Sequence, residues 1–364
     1  MKINILLPYK EKFDENKASS VSITVKNNLS HSIFLNQIRI YGQHVEKPLF
    51  KDNFIGFKHS ILSFKSKNKF LAHKMMKTIS HDVDQPQLIE VHNRPYLIDQ
   101  ITKGNHHFVT LFLHNDPQQM KGSRSIKDRE NLLKKCTAIF CVSEYIKGLY
   151  LEGISKNTHK VHVLYNGVNK KLKEFPKKKK EILFVGRLVP EKGAHFYVKA
   201  LRLLAINFPE WKFGLIGSHR LGYNENKNSY AIQVINDFKK IGIQAKFFGF
   251  KNNEFVQEKM KTASIIVIPS IWQEPFGLVA AEAMSNGICI IASKVGGIPE
   301  IIDNKGILIK NINHKKLLES LIDLIKDNKK RECFQKKSWK DFKFTSINSS
   351  KQLDNFRKII FQNF

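Results

Sequence analysis

The part of this 364-residue chain that most restricts its fold is the stretch from Ile265 to Gly287, IIVIPSIWQEPFGLVAAEAMSNG. The apolar run Ile265 to Ile268 predicts a short buried strand. The segment from Leu278 to Met284 predicts an apolar helix, and the pair Asn286-Gly287 predicts its end. A strand, a polar loop and an apolar helix in immediate succession indicate one unit of an α/β fold.

The loop within this stretch has the properties of a ligand site. Pro275 and Gly277 make a helix start before about Phe276 unfavourable, so the first N–H groups of the helix lack intrahelical partners. These N–H groups suit phosphate oxygens or sugar hydroxyls. Glu274 precedes them, and Glu282 follows about two helical turns later, so both carboxylates can border one cleft. A carboxylate in that position suits the two vicinal hydroxyls of a ribose.

Two motifs carry a resemblance to a known family. The first is E-P-F-G-L-V-x-x-E, from Glu274 to Glu282, and the second is G-R-x-x-x-E-K-G, from Gly186 to Gly193. They resemble the retaining glycosyltransferases of the GT-B fold, in particular family 4. The resemblance implies two doubly wound, Rossmann-like α/β domains that face a cleft, with the nucleotide held mainly by the second domain.

The chain length suits two domains of about 150–200 residues each. The turn Tyr165-Asn166-Gly167-Val168 resembles the family's domain crossover, and a charged linker follows it. We therefore predict an acceptor-side domain over residues 1–170, completed by a C-terminal helix over residues 345–364. A nucleotide-sugar-binding domain is predicted over residues 171–344.

The second motif predicts the contacts to the leaving group. A departing nucleotide diphosphate develops negative charge, which Arg187 and Lys192 can neutralise without a metal ion or another cofactor. Gly186 would let the backbone approach the ligand closely. The resemblance adds Gly217 and Phe250 near the nucleotide, although Phe250 is equally suited to a core position. The predicted donor-binding residues are Gly186, Arg187, Lys192, Gly217, Phe250, Glu274, Phe276, Gly277, Leu278 and Glu282.

Polar residues also follow two predicted strands of the first domain, where open α/β sheets bind ligands. His92 and Arg94 follow the strand Leu88 to Val91, and His114 follows the strand Phe108 to Leu113. The resemblance implies that His114 contacts the transferred sugar, so it joins Glu274, Arg187 and Lys192 in the predicted catalytic set. A hydrogen-bonded structural role for His114 is the alternative. His92 and Arg94 are acceptor-side candidates.

The first loop departs from the family pattern. Relatives carry a glycine-rich loop after the first strand, whereas residues 9–20 of this chain contain no glycine. Ser19 and Ser20 are small and bring hydroxyls, which makes them further acceptor-side candidates.

The net charge of +29 favours an anionic partner. The segment from Lys47 to Lys77 is rich in lysine and interleaves it with Phe50, Phe54, Phe57, Phe64 and Phe70. Lysines for headgroups and aromatic rings for the interface would suit an anionic membrane surface. A solvated basic face over core phenylalanines is the alternative. The membrane-docking candidates are Lys65, Lys67, Lys69 and Lys74.

The predicted reaction moves a sugar from a nucleotide sugar, UDP-linked in our expectation, to a hydroxyl of a lipopolysaccharide or lipid-linked envelope glycan. A diacylglycerol-type lipid, a soluble metabolite, or a non-enzymatic role in binding nucleic acid are the alternatives. The chain shows no recognisable nucleic-acid module, so we expect no nucleic-acid partner. Scattered cysteines and the lack of a long apolar run favour a cytoplasmic protein that is peripheral on the inner face of the membrane.

Overall fold

The computed structural model describes residues 2–15, 17–59, 66–80, 85–219 and 228–362. The chain divides into two compact units. Unit 1 comprises Met1–Gly167 and Thr345–Phe364, and unit 2 comprises Val168–Phe344. The boundaries expected from the sequence were residues 170 and 344.

Unit 1 is built on a seven-stranded sheet in which every pair of neighbours is parallel. Its strands are β1 (Ile3–Leu6), β2 (Ile38–Gln43), β3 (Phe54–Phe57), β4 (Leu88–His92), β5 (Phe108–Leu113), β6 (Ala138–Cys141) and β7 (Val161–Val163). The order across the sheet is β3-β2-β1-β4-β5-β6-β7. The winding direction therefore reverses between β1 and β4, which is where open α/β sheets bind ligands.

The described helices of unit 1 are α1 (Ser20–Leu29), α2 (Lys67–Ile79), α3 (Ile98–Thr102), α4 (Ile126–Lys135), α5 (Glu144–Leu151) and α13 (Ser346–Gln362). Several begin at side-chain caps that the sequence supplies. The Ser143 hydroxyl accepts a hydrogen bond from the N–H of Ile146 at the start of α5. Ser125 and Asp128 form a reciprocal capping box at the start of α4.

The C-terminal helix α13 is tied to the sheet of unit 1 by a buried ionic cluster. Arg357 donates two hydrogen bonds to the Glu90 carboxylate on β4, both 2.8 Å long. It also donates to Asp354, at 3.0 Å, and to the Ser32 hydroxyl, at 3.2 Å. Arg357, Glu90 and Asp354 are buried, so one guanidinium pairs with two carboxylates inside the protein.

Unit 2 repeats this arrangement with a six-stranded parallel sheet. Its strands are β8 (Lys179–Val185), β9 (Lys212–Ile216), β10 (Ala245–Gly249), β11 (Ala263–Ile268), β12 (Cys289–Ser293) and β13 (Gly306–Ile309), in the order β10-β9-β8-β11-β12-β13. The winding reverses between β8 and β11. Its described helices are α6 (Ala194–Asn207), α7 (Ser229–Lys239), α8 (Asn253–Thr262), α9 (Leu278–Ser285), α10 (Ile298–Ile302), α11 (His314–Lys326) and α12 (Asn328–Lys340).

One strand lies later than its sequence predicts. The pattern from Ser32 to Ile40 predicts a strand, but β2 begins at Ile38. The carboxylate of Asp354 accepts hydrogen bonds from the Ser32 hydroxyl, at 2.7 Å, and from the N–H of Ile33, at 2.9 Å. The polar groups of Ser32 and Ile33 are therefore hydrogen-bonded to a residue that is distant in sequence. The local sequence pattern cannot predict this contact.

Candidate functional site

The loop after β8 approaches the loop after β9 at a pair of glycines. The N–H of Gly186 donates to the carbonyl of Ile216, at 3.1 Å. Gly217 has φ +139°, and a Cβ added there would lie 1.9 Å from the carbonyl oxygen of Gly186. A Cβ on Gly186 would meet only the Phe184 ring, at 3.5 Å, which is an ordinary contact. The contact between these two loops therefore requires glycine at Gly217, while the close approach of Gly186 to a ligand stays a prediction.

The motif from Gly186 to Gly193 contacts the loop that follows β11. Gly193 has φ +67°, and a Cβ added to it would lie 1.9 Å from the carbonyl oxygen of Pro269. The carbonyl of Glu191 accepts hydrogen bonds from the N–H of Ile271, at 2.9 Å, and from the Ser270 hydroxyl, at 3.1 Å. Both candidate motifs of unit 2 are thus held together at the carboxyl ends of β8 and β11.

The contact between the two motifs includes an ion pair. The ammonium of Lys192 donates a hydrogen bond to Oε1 of Glu274, and the Ser270 hydroxyl donates to the same oxygen, at 2.7 Å. Both charged side chains are partly exposed. Arg187 is exposed and forms no ion pair within the described part of the chain. The structure therefore brings Lys192 and Glu274 together, whereas the sequence assigned them to different parts of a donor.

Helix α9 begins slightly later than the earliest start allowed by its sequence. Gly277 has φ +97° and precedes the first helical residue, Leu278. The first hydrogen bond at this end of α9 runs from the N–H of Ala280 to the carbonyl of Gly277, at 2.9 Å, so the N–H groups of Leu278 and Val279 are the ones suited to an anion or a hydroxyl. Phe276 is buried, and its ring packs edge-on against Phe344 with 5.9 Å between the ring centroids. Its side chain is a core residue, so only its backbone fits the predicted donor site.

The loop that carries Glu274 is braced by a glycine pair from the turn after β12. The N–H of Gly297 donates to the carbonyl of Glu274, and the N–H of Gly296 donates to Oε1 of Gln273, both at 2.7 Å. A Cβ on Gly296 would lie 2.2 Å from the Glu274 carbonyl oxygen. The backbone of the Glu274 loop can take its place only because this glycine lacks a side chain.

Glu282 lies on α9 in an environment unlike that of Glu274. Its carboxylate is buried, and it accepts a hydrogen bond from the side-chain amide of Asn253, at 3.0 Å. Burial raises the pKa of Glu282 to about 7, and the Asn253 hydrogen bond opposes part of this rise. The sequence analysis missed Asn253, although the Asn252-Asn253 pair after β10 is a signal for a helix start. Phe250, in the same loop, is half-buried.

The two candidate histidines of unit 1 form a close pair. His92 ends β4, His114 follows β5, and Nδ1 of His92 lies 2.9 Å from Nε2 of His114. The His92 ring also stacks on Phe112, with centroids 4.5 Å apart. Asn93 fixes the backbone between the two strands, because its N–H donates to the Phe112 carbonyl and its Oδ1 accepts from the N–H of His114, both at 2.8 Å.

Both imidazoles are buried, which favours their neutral forms. Burial lowers the pKa of His114 to about 4. Burial also lowers the pKa of His92 well below its usual range, and the positive charges of His114 and Arg357 lower it further. The pair is therefore uncharged at neutral pH. Asn93, which the sequence analysis did not single out, has φ +52°, a conformation in which asparagine is enriched.

The acceptor-side candidates have local roles. The Ser19 hydroxyl accepts a hydrogen bond from the N–H of Ser22 and caps α1. Ser20 is the first residue of that helix and is exposed. Arg94 is half-buried, and its guanidinium donates to the carbonyl of Asn93, at 2.6 Å. The signal for the Ser19 cap was present in the sequence, because serine is a preferred residue before a first helical turn.

The lysines proposed for membrane docking fall largely on α2. Lys67 and Lys69 are exposed. Lys74 is half-buried, with its ammonium 5.8 Å from the centre of the Phe70 ring. Lys65 lies outside the described residues. In the part of the chain that is described, no helix is both long enough and apolar enough to cross a bilayer.

Three of the four described phenylalanines of this segment are half-buried and pack against other rings, so their contact with a membrane interface stays a prediction. Phe54 stacks on Phe13 at 5.7 Å between centroids, and Phe50 packs against the same ring at 6.0 Å. Phe57 stacks on Tyr41 at 6.5 Å, and Phe70 is buried. Phe64 lies outside the described residues. Two of these rings occupy β3, a strand that the lysine-rich pattern concealed.

Two doubly wound parallel sheets, each with its polar groups at the carboxyl ends of its strands, define the GT-B class of fold. A crystal structure of Anabaena HepE in complex with UDP and glucose has the same fold, with a TM-score of 0.75 over 98% of this chain and 99% of that chain, at 17% identity. Residues 168–341 match the model of a family described as glycosyl transferases group 1. The matched residues lie within unit 2.

Relatives are found for both partial and nearly full lengths of the chain. An uncharacterized glycosyltransferase of Methanocaldococcus jannaschii is 33% identical over 196 residues, which cover 53% of this chain and 51% of that protein. A second uncharacterized glycosyltransferase of that organism is 24% identical over 88% of this chain and 82% of its own length. A lipopolysaccharide 1,2-N-acetylglucosaminetransferase of Salmonella typhimurium is 29% identical over 33% of this chain and 32% of that protein. The chain thus spans about half the length of the first relative.

Proposed function

We propose that this protein is a retaining, family 4 glycosyltransferase that uses a UDP-linked sugar, and that it needs no metal ion or other cofactor. The observation that carries the proposal is the pair of linked motifs at the carboxyl ends of β8 and β11. There the ammonium of Lys192 forms an ion pair with the carboxylate of Glu274. A second carboxylate, Glu282, lies on the helix that begins at the same loop.

Each residue has a proposed role in holding the donor. Arg187 and Lys192 neutralise the diphosphate as the sugar departs. Glu274 and the first N–H groups of α9 bind hydroxyls of the sugar, and Glu282 binds the ribose. Lys192 is paired with Glu274, so binding of the diphosphate would exchange one anionic partner of Lys192 for another. His114 contacts a sugar oxygen, and the leaving phosphate serves as the base in attack from the same face.

UDP is the nucleotide that the comparisons favour, because the HepE structure of the same fold is described with UDP and glucose. A thermal-shift series with UDP-, ADP-, GDP- and CDP-linked sugars tests this choice. A ligand at 100 times its dissociation constant adds about 2.7 kcal/mol of stability, which a shift in Tm reveals. We expect the largest shift with a UDP-sugar. Arg187→Ala should abolish it, and Arg202→Ala, which removes an exposed arginine from α6, should leave it intact.

No shift with any nucleotide sugar would refute the proposed function. If the Arg187→Ala variant shows the same shift in Tm as the wild type, the proposed function stands, but Arg187 does not bind the diphosphate.

The proposed acceptor is a hydroxyl of a lipopolysaccharide or a lipid-linked envelope glycan, reached at the cytoplasmic face of an anionic membrane. Support comes from the net charge of +29 and from the relative named as a lipopolysaccharide transferase. It also comes from α2, which carries lysines and no acidic residue. Three lysines near an anionic surface contribute about 3 kcal/mol, which is enough for reversible binding.

Sedimentation with vesicles tests the membrane role. We expect the protein to pellet with anionic vesicles at low salt, to ignore neutral ones, and to be released as salt rises. Replacing Lys67, Lys69 and Lys74 by Glu should abolish pelleting. A matched control changes Lys329, Lys336 and Lys337 on α12 to Glu and alters the net charge equally. Pelleting lost equally in both variants would place the effect in the overall charge, and no pelleting of the wild type would favour a soluble acceptor.

A further inference from the structure

The histidine pair of unit 1 can share its hydrogen in only two ways. Nδ1 of His92 and Nε2 of His114 are 2.9 Å apart, so one nitrogen donates and the other accepts. Either His92 donates from Nδ1, which leaves the proton of neutral His114 on Nδ1, or His114 donates from Nε2. The choice decides whether the remaining nitrogen of His114 is a donor or an acceptor toward a ligand.

The far side of His92 distinguishes the two arrangements. Its Nε2 is fully buried and has no hydrogen-bond partner among the residues that the structure describes. If His114 donates, Nε2 of His92 must carry a hydrogen, and a buried N–H would be left without an acceptor. If His92 donates, Nε2 carries only a lone pair. Orphaned buried N–H groups are rarer in proteins than under-satisfied acceptors, so the second arrangement is favoured.

Two further contacts hold the pair in this geometry. The His92 ring is stacked on Phe112 with 14° between the ring planes, which fixes its orientation. Asn93 accepts a hydrogen bond from the N–H of His114 and so sets the position of its backbone. Because the pKa of His114 falls to about 4 on burial, this residue is neutral near pH 7 and carries only one ring hydrogen.

We propose that His92 is a positioning residue that fixes His114 as the Nδ1–H tautomer, so that His114 presents a hydrogen-bond donor to an oxygen of the sugar substrate. This inference rests on the proposed function, in which His114 contacts the sugar. It adds which ring nitrogen of His114 faces the substrate and what that nitrogen can do. An oxygen lone pair of the substrate, rather than a hydroxyl hydrogen, is the group recognised.

The tautomer can be measured without any substrate. Nitrogen-15 NMR of the protein labelled at histidine separates ring nitrogens that carry hydrogen from those that do not. At pH 7.5 we expect His114 to show hydrogen on Nδ1 and none on Nε2. The opposite assignment would overturn the proposal. Because no donor or acceptor is present, this result does not depend on whether the protein transfers sugar.

Two substitutions at His92 then test its influence on turnover. His92→Phe keeps a planar ring on Phe112 but removes the donor, and we expect mixed His114 tautomers and a fall in kcat of about fivefold, the scale of one neutral hydrogen bond. His92→Asn places an N–H donor close to the position of the lost Nδ1, and we expect it to restore the single tautomer and most of the turnover. An Asn variant as impaired as the Phe variant, with an unchanged His114 spectrum, would contradict the role.

A double-mutant cycle separates this proposal from the proposed function. In a His114→Ala background, His92→Phe should cause no further loss of kcat, because its effect passes through His114. Additive losses would show that His92 acts in another way. If instead no variant, wild type included, turns over a nucleotide sugar, then the proposed function fails while the NMR result for the tautomer still stands or falls separately.

Discussion

The two units share one topology but carry opposite chemistry at the carboxyl ends of their strands. In unit 1 the polar groups after β4 and β5 are two buried imidazoles whose pKa values are lowered, so they are neutral. In unit 2 the groups after β8 and β11 are a lysine–glutamate ion pair and an exposed arginine. The strand order of each sheet thus determines the edge at which a site can form. The residues of the loops at that edge determine the charge of the site.

Unit 1 also contains charged side chains, but these are buried and paired with one another. The cluster of Arg357, Glu90 and Asp354 joins α13 to the sheet and is buried. Unit 2 instead keeps its ionic groups partly exposed, where a ligand can exchange with them. We therefore expect charge removal to affect stability in unit 1 and turnover in unit 2.

The largest expected effect is on stability. Arg357→Met should cost about 3–5 kcal/mol, because it leaves two buried carboxylates without their cation. Denaturant unfolding followed by circular dichroism measures this loss. The triple variant Glu90→Gln, Asp354→Asn, Arg357→Met should recover much of it, since no uncompensated charge remains. A single variant as stable as wild type would show that the cluster contributes little, and UDP affinity should be unaffected in folded protein.

The next largest effect is on turnover. Arg187→Ala or Lys192→Ala should lower kcat by about 10²–10³, the range seen when one stabiliser of transition-state charge is removed. Arg202→Ala and Lys199→Ala, two exposed positions on α6, are matched controls that should retain full activity. Steady-state kinetics with the best donor measures both. Turnover within twofold of wild type in both site variants would remove these cations from the mechanism.

How far the sequence could foresee these sites differs between the units. In unit 2 the strand, loop and helix follow one another within a short segment, so the placement of Glu274 and Glu282 followed from local pattern. The Lys192–Glu274 ion pair did not, because it joins residues 82 apart in sequence. Asn253, the partner of Glu282, was missed for the same reason.

In unit 1 the positions of His92 and His114 at strand ends were foreseen, but their pairing depends on the register of β4 and β5. The lysine-rich segment misled more seriously. Phe54 stacks on Phe13 and Phe57 stacks on Tyr41, and the lysine-rich pattern did not predict the strand β3 that carries both rings. Local composition could not reveal which rings were buried, because that depends on contacts with distant residues.

A third prediction concerns how the stability of the protein depends on pH, and it uses the raised pKa of Glu282 in unit 2. Its pKa is about 7 in the folded protein and about 4.3 in an unfolded chain, so the folded state holds an extra proton between these values. Stability should therefore fall as pH rises from about 4 to 7, by up to about 3 kcal/mol. Glu282→Gln should remove this loss and be more stable than wild type at pH 8, with the difference disappearing near pH 4.

Comparing the two proteins at each pH cancels the contribution of the histidines of unit 1, which acts in the opposite direction. Their lowered pKa values make the unfolded state bind more protons below about pH 6.5, so they reduce stability as pH falls. Glu254→Gln, at an exposed position on α8, is the control and should follow wild type. A Glu282→Gln variant that is less stable at pH 8 would mean that the ionised carboxylate is stabilised by contacts that outweigh its burial.

The smallest expected effect is that of removing metal ions. If Arg187 and Lys192 neutralise the diphosphate, a divalent cation is not needed for that purpose, and kcat in excess EDTA should stay within about twofold of its value without chelator. The chain does contain one Asp-x-Asp sequence, Asp82-Val83-Asp84, of the kind that metal-dependent sugar transferases use, and it lies outside the described residues. The double variant Asp82→Asn, Asp84→Asn is therefore the essential comparison. If wild type in EDTA and the double variant both keep full activity, the residues of unit 2 neutralise the diphosphate without a metal ion. The opposite result has three parts: EDTA abolishes activity, magnesium or manganese restores it, and the double variant is inactive. That result would mean that unit 1 binds a metal ion that neutralises the diphosphate, and it would reverse the contrast between the two units.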